Sequence, residues 1–117
     1  MADEQNTILG DIKKMIGPSA DYDYFETDLI IHINSVLNVL KQLGIGPEEG
    51  YSISKESNDT WEDFLGAHEN IEMVKSYVYL KVKMLFDPPS SGAISEAYKS
   101  AIAEFEWRAN VDVETFD

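Results

Sequence analysis

The hydrophobic pattern is sharpest over Asn70 to Phe86, NIEMVKSYVYLKVKMLF. Ile71, Val74, Val78, Val82 and Leu85 recur at steps of three and four, and Met73, Tyr77, Leu80 and Met84 form a second line beside them. An apolar arc that wide is more than one partner helix covers, so the pattern predicts a helix at the centre of a bundle. Glu72, Lys75, Ser76, Tyr79 and Lys83 share the remaining face. Asn70 is a candidate N-cap, and Glu72 in the first turn suits the positive end of the helix dipole. Asp87-Pro88-Pro89 ends the element, because proline cannot extend a helix and disfavours the α region for the residue before it.

Two more helices precede it. Thr7 to Ile16 is short, with Ile8, Ile12, Met15 and Ile16 on one side and Gly17-Pro18 as the stop. Ser19 to Asp23 reads as a polar connector. Tyr24 to Leu43 is long, with Glu26 and Asp28 near its positive end. Leu29, Ile33, Val36, Leu40 and Leu43 make its core stripe, widened by Ile30 and Leu37. Ile31 shares a face with Asn34, Ser35 and Asn38, so it is expected to point away from the core. A lone exposed isoleucine is ordinary, and it also suits a subunit contact.

Gly44 to Glu69 has no long period. Gly44-Ile45-Gly46-Pro47 ends the preceding helix with glycine at C′. Tyr51-Ser52-Ile53-Ser54 alternates like a short strand, and Thr60 to Leu65 returns either as a strand or as one helical turn; the expectation is a small hairpin. So long a connection is usually functional or mobile. Ile45, Tyr51, Ile53, Trp61 and Phe64 are its apolar contact residues, with Trp61 and Phe64 expected to pin it to the bundle.

Ser90 to Asn110 is the last helix, capped by Ser90 or Ser91, with Ile94, Tyr98, Ala101 and Phe105 facing the core and Glu104 and Arg108 paired one turn apart. Trp107 falls about 200° round from Phe105, on the outer face. Tryptophan is enriched at interface hot spots. Val111, Val113 and Phe116 stand in a polar tail that is expected to be disordered, or to add a strand to a neighbour's sheet edge. The chain as a whole predicts one domain over 1–117, with 1–6 and 111–117 flexible. The fold class is all-α: a small bundle of three main helices plus a short N-terminal helix, with a long loop or short β-hairpin (44–69) between the second and third helices.

Composition changes this picture chiefly through charge. The chain of 117 residues carries 22 acids against nine bases, a net charge of −13. Phosphate neutralisation needs Lys and Arg, so nucleic-acid binding is not expected, nor is an anionic membrane surface. No acid lies between Leu29 and Pro47, and only Asp87 between Met73 and Ser95. There is no cysteine, which excludes disulfides and thiolate metal sites. No apolar run approaches the roughly 18 residues of a membrane span. The opening Met1-Ala2-Asp3-Glu4 is acidic, without a secretory pattern, so the expected place of synthesis is the cytosol.

Candidate chemistry is thin. His32 has Asp28 one turn earlier, but a half-buried or surface histidine explains it as well. His68-Glu69 lacks the second histidine of a zinc-protease helix. Asp21-Tyr22-Asp23 with Glu26 lacks the turn glycine and the twelfth-position ligand of a calcium loop. Gly44, Gly46 and Gly50 follow a helix rather than a strand, so no dinucleotide fingerprint forms. Lys75, Lys81 and Lys83 spread over more than one face. No catalytic set, metal or cofactor is expected. The residues describe an acidic helical domain with an outward tryptophan, a long mid-chain loop and a polar tail, a profile that suits assembly more than catalysis.

Three stretches carry a resemblance. Ile8-Leu9-Gly10-Asp11-Ile12-Lys13-Lys14-Met15-Ile16-Gly17, an acidic connector and then Asp28-Leu29-Ile30-Ile31-His32-Ile33-Asn34-Ser35-Val36 resemble the opening of the head–tail connector proteins of tailed bacteriophages. The run from Val74 to Pro89 resembles the third helix and Pro turn of that group. Glu104-Phe105-Glu106-Trp107-Arg108-Ala109-Asn110 is similar to its closing helix. The likeness covers about Thr7 to Asn110, and Gly44 to Glu69 is longer than the tight link of many members.

The resemblance implies a structural subunit of the virion, made in the bacterial cytoplasm. Such a subunit assembles as a homo-oligomeric ring beneath the portal protein and docks the next head-completion or tail protein. DNA passes through its channel without specific binding, and no membrane is involved. Ile31, Tyr79, Trp107, Val111, Val113 and Phe116 are then the candidate subunit or partner contacts. The alternative is an acidic DNA-mimic inhibitor of a DNA-binding protein. Against it stand the acid-free stretch from Leu29 to Pro47 and the irregular spacing of the other acids.

Overall fold

The structure, a computed structural model, describes residues 7–17, 23–66 and 71–116, with the backbone alone described at 23–24 and 110–116. Five helices follow in order: α1 Ile8–Ile16, α2 Asp23–Gln42, α3 Trp61–Leu65, α4 Ile71–Phe86 and α5 Gly92–Phe116. The fold is all-α, and no strand occurs among the described residues; the one β feature is an isolated bridge between Thr7 and Thr60.

Local chemistry sets most of the boundaries. The Thr7 hydroxyl accepts from the Gly10 N–H at 2.9 Å and caps α1. At the other end the Gly17 N–H donates to the Lys13 carbonyl from a backbone with φ +108, a conformation that costs glycine little. Gly44 N–H donates to Lys41 at 3.0 Å where α2 closes. The short α3 owes its existence to a reciprocal capping box: Asp63 N–H to the Thr60 hydroxyl at 3.0 Å, and Thr60 N–H to the Asp63 carboxylate at 2.9 Å. The expected hairpin is therefore not formed, and Thr60–Leu65 is the helical turn. A cap that satisfies two donors locally makes the turn self-sufficient, whereas a strand would need a ladder partner. The N-cap expected at Asn70, and the motifs at Asp21-Tyr22 and His68-Glu69, lie outside the described residues.

α4 packs against α1, α2 and α5. Its residues Val74, Tyr77, Val78 and Val82 are buried among Leu29, Ile33, Val36, Leu37 and Leu40 of α2, Ile8 and Ile12 of α1, and Trp61 and Phe64 of α3. Each fully buried aliphatic side chain contributes about 1.5–3 kcal/mol relative to exposure, so this shared interior is the main source of stability. Phe86 closes the far end of α4 edge-on against Phe25 and against His32, with ring centroids 6.0 and 6.4 Å away. His32 thus packs its ring on an aromatic neighbour.

Several expected core positions are open. Leu85, expected in the α4 stripe, is 52% exposed, and Met73 and Met15 are exposed too. Ile94 and Ala101, expected to face the core from α5, are also exposed, while the buried residue of that helix is Ile102. The reason is that α5 lies on α4 along one narrow line. Tyr98, Ile102, Phe105 and Ala109 form it, and Ile94 and Ala101 fall beside it, about 50–70° round the helix and outside the contact. α5 also continues to Phe116 instead of ending near Asn110. No glycine or proline follows Gly92 to stop it, and the steps 109, 113, 116 keep helical spacing.

Candidate functional site

The long connection between α2 and α3 is fastened by polar groups. Asn34 on α2 donates its side-chain N–H to the Ile53 carbonyl at 3.1 Å and accepts the Ile53 N–H at 2.7 Å. The Tyr51 hydroxyl donates to Asp59 at 2.8 Å, and burial together with that carboxylate pushes the phenol pKa up. The Trp61 indole N–H donates to the Asp11 carboxylate at 2.8 Å, and Lys75 reaches the same oxygen at 3.5 Å. Ile8 N–H donates to the Asp59 carbonyl at 2.8 Å. Ile53, Trp61 and Phe64 are buried, so these three loop residues anchor the segment and offer no surface to a partner, while Ile45 and Tyr51 are half-buried beside them. Asn34, expected to face outward with Ile31, is half-covered by this loop.

Under the same loop sits Glu26, only 7% exposed. Its Oε2 accepts from the Lys13 ammonium at 2.6 Å, and its Oε1 has the Lys55 ammonium at 3.7 Å. The Lys13 hydrogen bond outweighs the opposing effect of burial and holds the carboxyl below the usual carboxylate range. One carboxylate therefore ties α1, α2 and the loop together. Sequence reading placed Glu26 at the helix dipole and weighed it in an incomplete calcium loop, and it missed this role because the two lysines lie 13 and 29 residues away along the chain.

The open surfaces lie elsewhere. Ile31 is 56% exposed on α2, and Trp107 is 67% exposed on α5. Tyr79 is half-buried with its ring edge-on to Tyr98 at 6.5 Å, and burial raises its pKa. Val111, Val113 and Phe116 occupy the last turns of α5, their side chains outside the described residues. Between α4 and α5 runs a groove in which Lys81, Met84 and Leu85 face Lys99, Ile102 and Ala103. Sequence reading missed this groove, since it assigned Leu85 to the core and treated the lysines as scattered. Beneath it α4 and α5 are held by Tyr77, whose ring stacks on Phe105 at 4.4 Å and whose hydroxyl donates to Glu106 at 2.7 Å. Burial and that carboxylate raise the Tyr77 pKa.

No three metal-ligating side chains converge among the described residues, and no helix among them is long and apolar enough to cross a membrane. The geometry offers rigid surfaces with exposed apolar residues. No curated protein and no solved structure matches the chain. A family model described as phage connector protein matches residues 8–115, nearly the whole of the 117-residue chain. The matched span takes in α1 to α4, the fastened loop and α5 up to its last residue, and the family is a structural one of the virion. The chain belongs to the phage connector protein family.

Proposed function

We propose that this connector assembles as a ring beneath the portal, extends the DNA channel and docks the next head-completion or tail protein. The observation that carries the reading is the state of α5. A 25-residue helix that buries Ile102 and leaves Ile94 and Trp107 open is half of an interface. Trp107, Ile31, Tyr79 and the last turns of α5 at Val111, Val113 and Phe116 are the contacts assigned to neighbours. A ring needs a heterologous interface that closes on itself, so two different faces of each subunit must be used. α2, the α4–α5 side and the last turns of α5 are the faces that can supply them.

The charge suits a conduit. Duplex DNA carries about one charge per 1.7 Å, and an acidic wall repels it within a Debye length of about 8 Å. A subunit of net charge −13 that lined the channel with part of its acids would let DNA slide without adhering.

The deciding experiment is light scattering on the purified chain, alone and mixed with the portal protein of its own genome. A defined large complex with portal supports the connector reading. A persistent monomer that ignores portal overturns the ring, and capture of a nuclease or repressor in its place would establish the acidic DNA mimic.

A further inference from the structure

α5 outruns the helix it lies on. Tyr77 meets Phe105 and Glu106, while Lys81 pairs with Glu106 and shares the groove with Ile102. Higher positions on α4 therefore face lower positions on α5, and the two run antiparallel. Carrying that register back, Ile71, the first residue of α4, comes level with about position 112 of α5. α5 runs on to Phe116. The packed line of Tyr98, Ile102, Phe105 and Ala109 continues in steps of four and three to positions 113 and 116. Val113 and Phe116 stand there, with Asp112 before them and Glu114 between. The last turn of α5 thus carries acids beside apolar positions at the packing register, and little or no α4 remains alongside it.

The groove between α4 and α5 has the complementary chemistry. Leu85, 52% exposed, and Ala103 are its exposed apolar residues, beside the buried Ile102. Two ammonium groups flank the groove in a chain whose acids outnumber its bases 22 to nine. The Lys81 and Lys99 side chains are 30% and 59% exposed and pair at 3.2 and 3.8 Å with Glu106 and Glu96. Such surface pairs are weak and exchange readily for an incoming carboxylate.

We propose that the acidic last turn of α5 in one copy docks in the α4–α5 groove of the next copy. Its carboxylates meet Lys81 and Lys99, and its apolar register meets Leu85 and Ala103. This rests on the ring reading and names the two faces that the ring interface would use. The occupant cannot be the same chain's own end. The groove is built from α5 residues 99–106, and the helix carries positions 113 and 116 straight away from it, about 1.5 Å per residue. An end-into-groove contact is the same from copy to copy and leaves one end and one groove free until a ring closes.

The test is charge exchange on the full chain, with assembly followed by light scattering alone and with portal, and folding by circular dichroism. Lys81→Glu with Lys99→Glu should abolish the assembled species while helicity stays unchanged. Asp112→Lys with Glu114→Lys should do the same. Mixing the two variants should restore assembly with the two copies alternating, because each variant's end is complementary to the other's groove while neither assembles alone. Variants that assemble as the wild type does overturn the docking and leave the ring reading intact. So does loss of portal binding with self-association preserved, which would give the groove to portal. A wild-type chain that assembles neither alone nor on portal overturns the ring reading and this docking with it.

Discussion

Asn34 and Ile53, 19 residues apart, exchange two hydrogen bonds, one in each direction, at 3.1 and 2.7 Å. The amide side chain stands in for a strand neighbour: it offers a donor to the carbonyl and an acceptor to the N–H of a buried residue that has no sheet to join. This is how a long connection between helices stays ordered without secondary structure of its own. Replacing Asn34 by alanine leaves both main-chain groups of Ile53 short of a partner, which costs about 2–4 kcal/mol. Urea denaturation should show that loss, and limited proteolysis should cut the 44–60 segment first. A loss below about 0.5 kcal/mol would mean that Tyr51, Trp61 and Ile8 hold the loop without Asn34.

Gly46 carries the loop over Phe64. Its φ is +91, and a Cβ there would lie 2.5 Å from the ring carbon Cε1 of Phe64. The ring is buried and packs against Tyr51 at 5.3 Å, so it cannot swing freely. Gly17 also has positive φ but faces open space. Both alanine variants should bear backbone strain of about 1–2 kcal/mol, and Gly46→Ala should bear about 1–3 kcal/mol more from overlap. Equal melting temperatures for the two would show that the ring yields.

Glu26 makes stability depend on acid. Its folded pKa is depressed, so the carboxylate form is favoured in the native state. Its contribution is therefore fully present above the unfolded value of about 4.3 and is lost as pH falls through the lower folded pKa. Glu26→Gln should lower stability at pH 7 and flatten the acid limb of the stability curve below about pH 4.3. Chemical denaturation at a series of pH values reads this directly, and parallel curves for the two proteins would remove Glu26 from the acid response.

Helix placement was legible because punctuation and period agree. Gly17-Pro18, Gly44 and Asp87-Pro88-Pro89 end α1, α2 and α4 within a residue or so of where the pattern puts them. Leu29, Ile33, Val36 and Leu40 read as a core stripe and are buried. The rest turns on partners that a local period does not name. Leu85 belongs to the apolar arc of α4, yet α5 crosses without covering it. Ile94 and Ala101 flank the packed line of α5, whose centre lies about 40° round from the stripe that the period suggests, so Tyr98 and Phe105 stay on it while these two fall outside. Asn34, Asp11 and Glu26 look like surface residues until a loop or lysine distant in sequence arrives over them.

Trp107 is where fold and function separate. Its side chain is 67% exposed on α5. It stands on the side of α5 turned away from the line that packs on α4, and it is not part of the core. Truncating an exposed residue away from caps and buried networks changes stability within about 0.5 kcal/mol. The same truncation at a desolvated hot spot costs an interface about 2 kcal/mol or more, which is roughly thirtyfold in affinity at 1.4 kcal/mol per decade. Trp107→Ala should therefore melt with the wild type and yet fail to assemble at concentrations where the wild type assembles, alone or on portal. Light scattering beside a thermal melt separates the two effects. A variant that melts early would show that Trp107 supports the subunit. One that melts and assembles normally would remove Trp107 from the interface and leave Leu85 and the lysines of the groove to be tested without it.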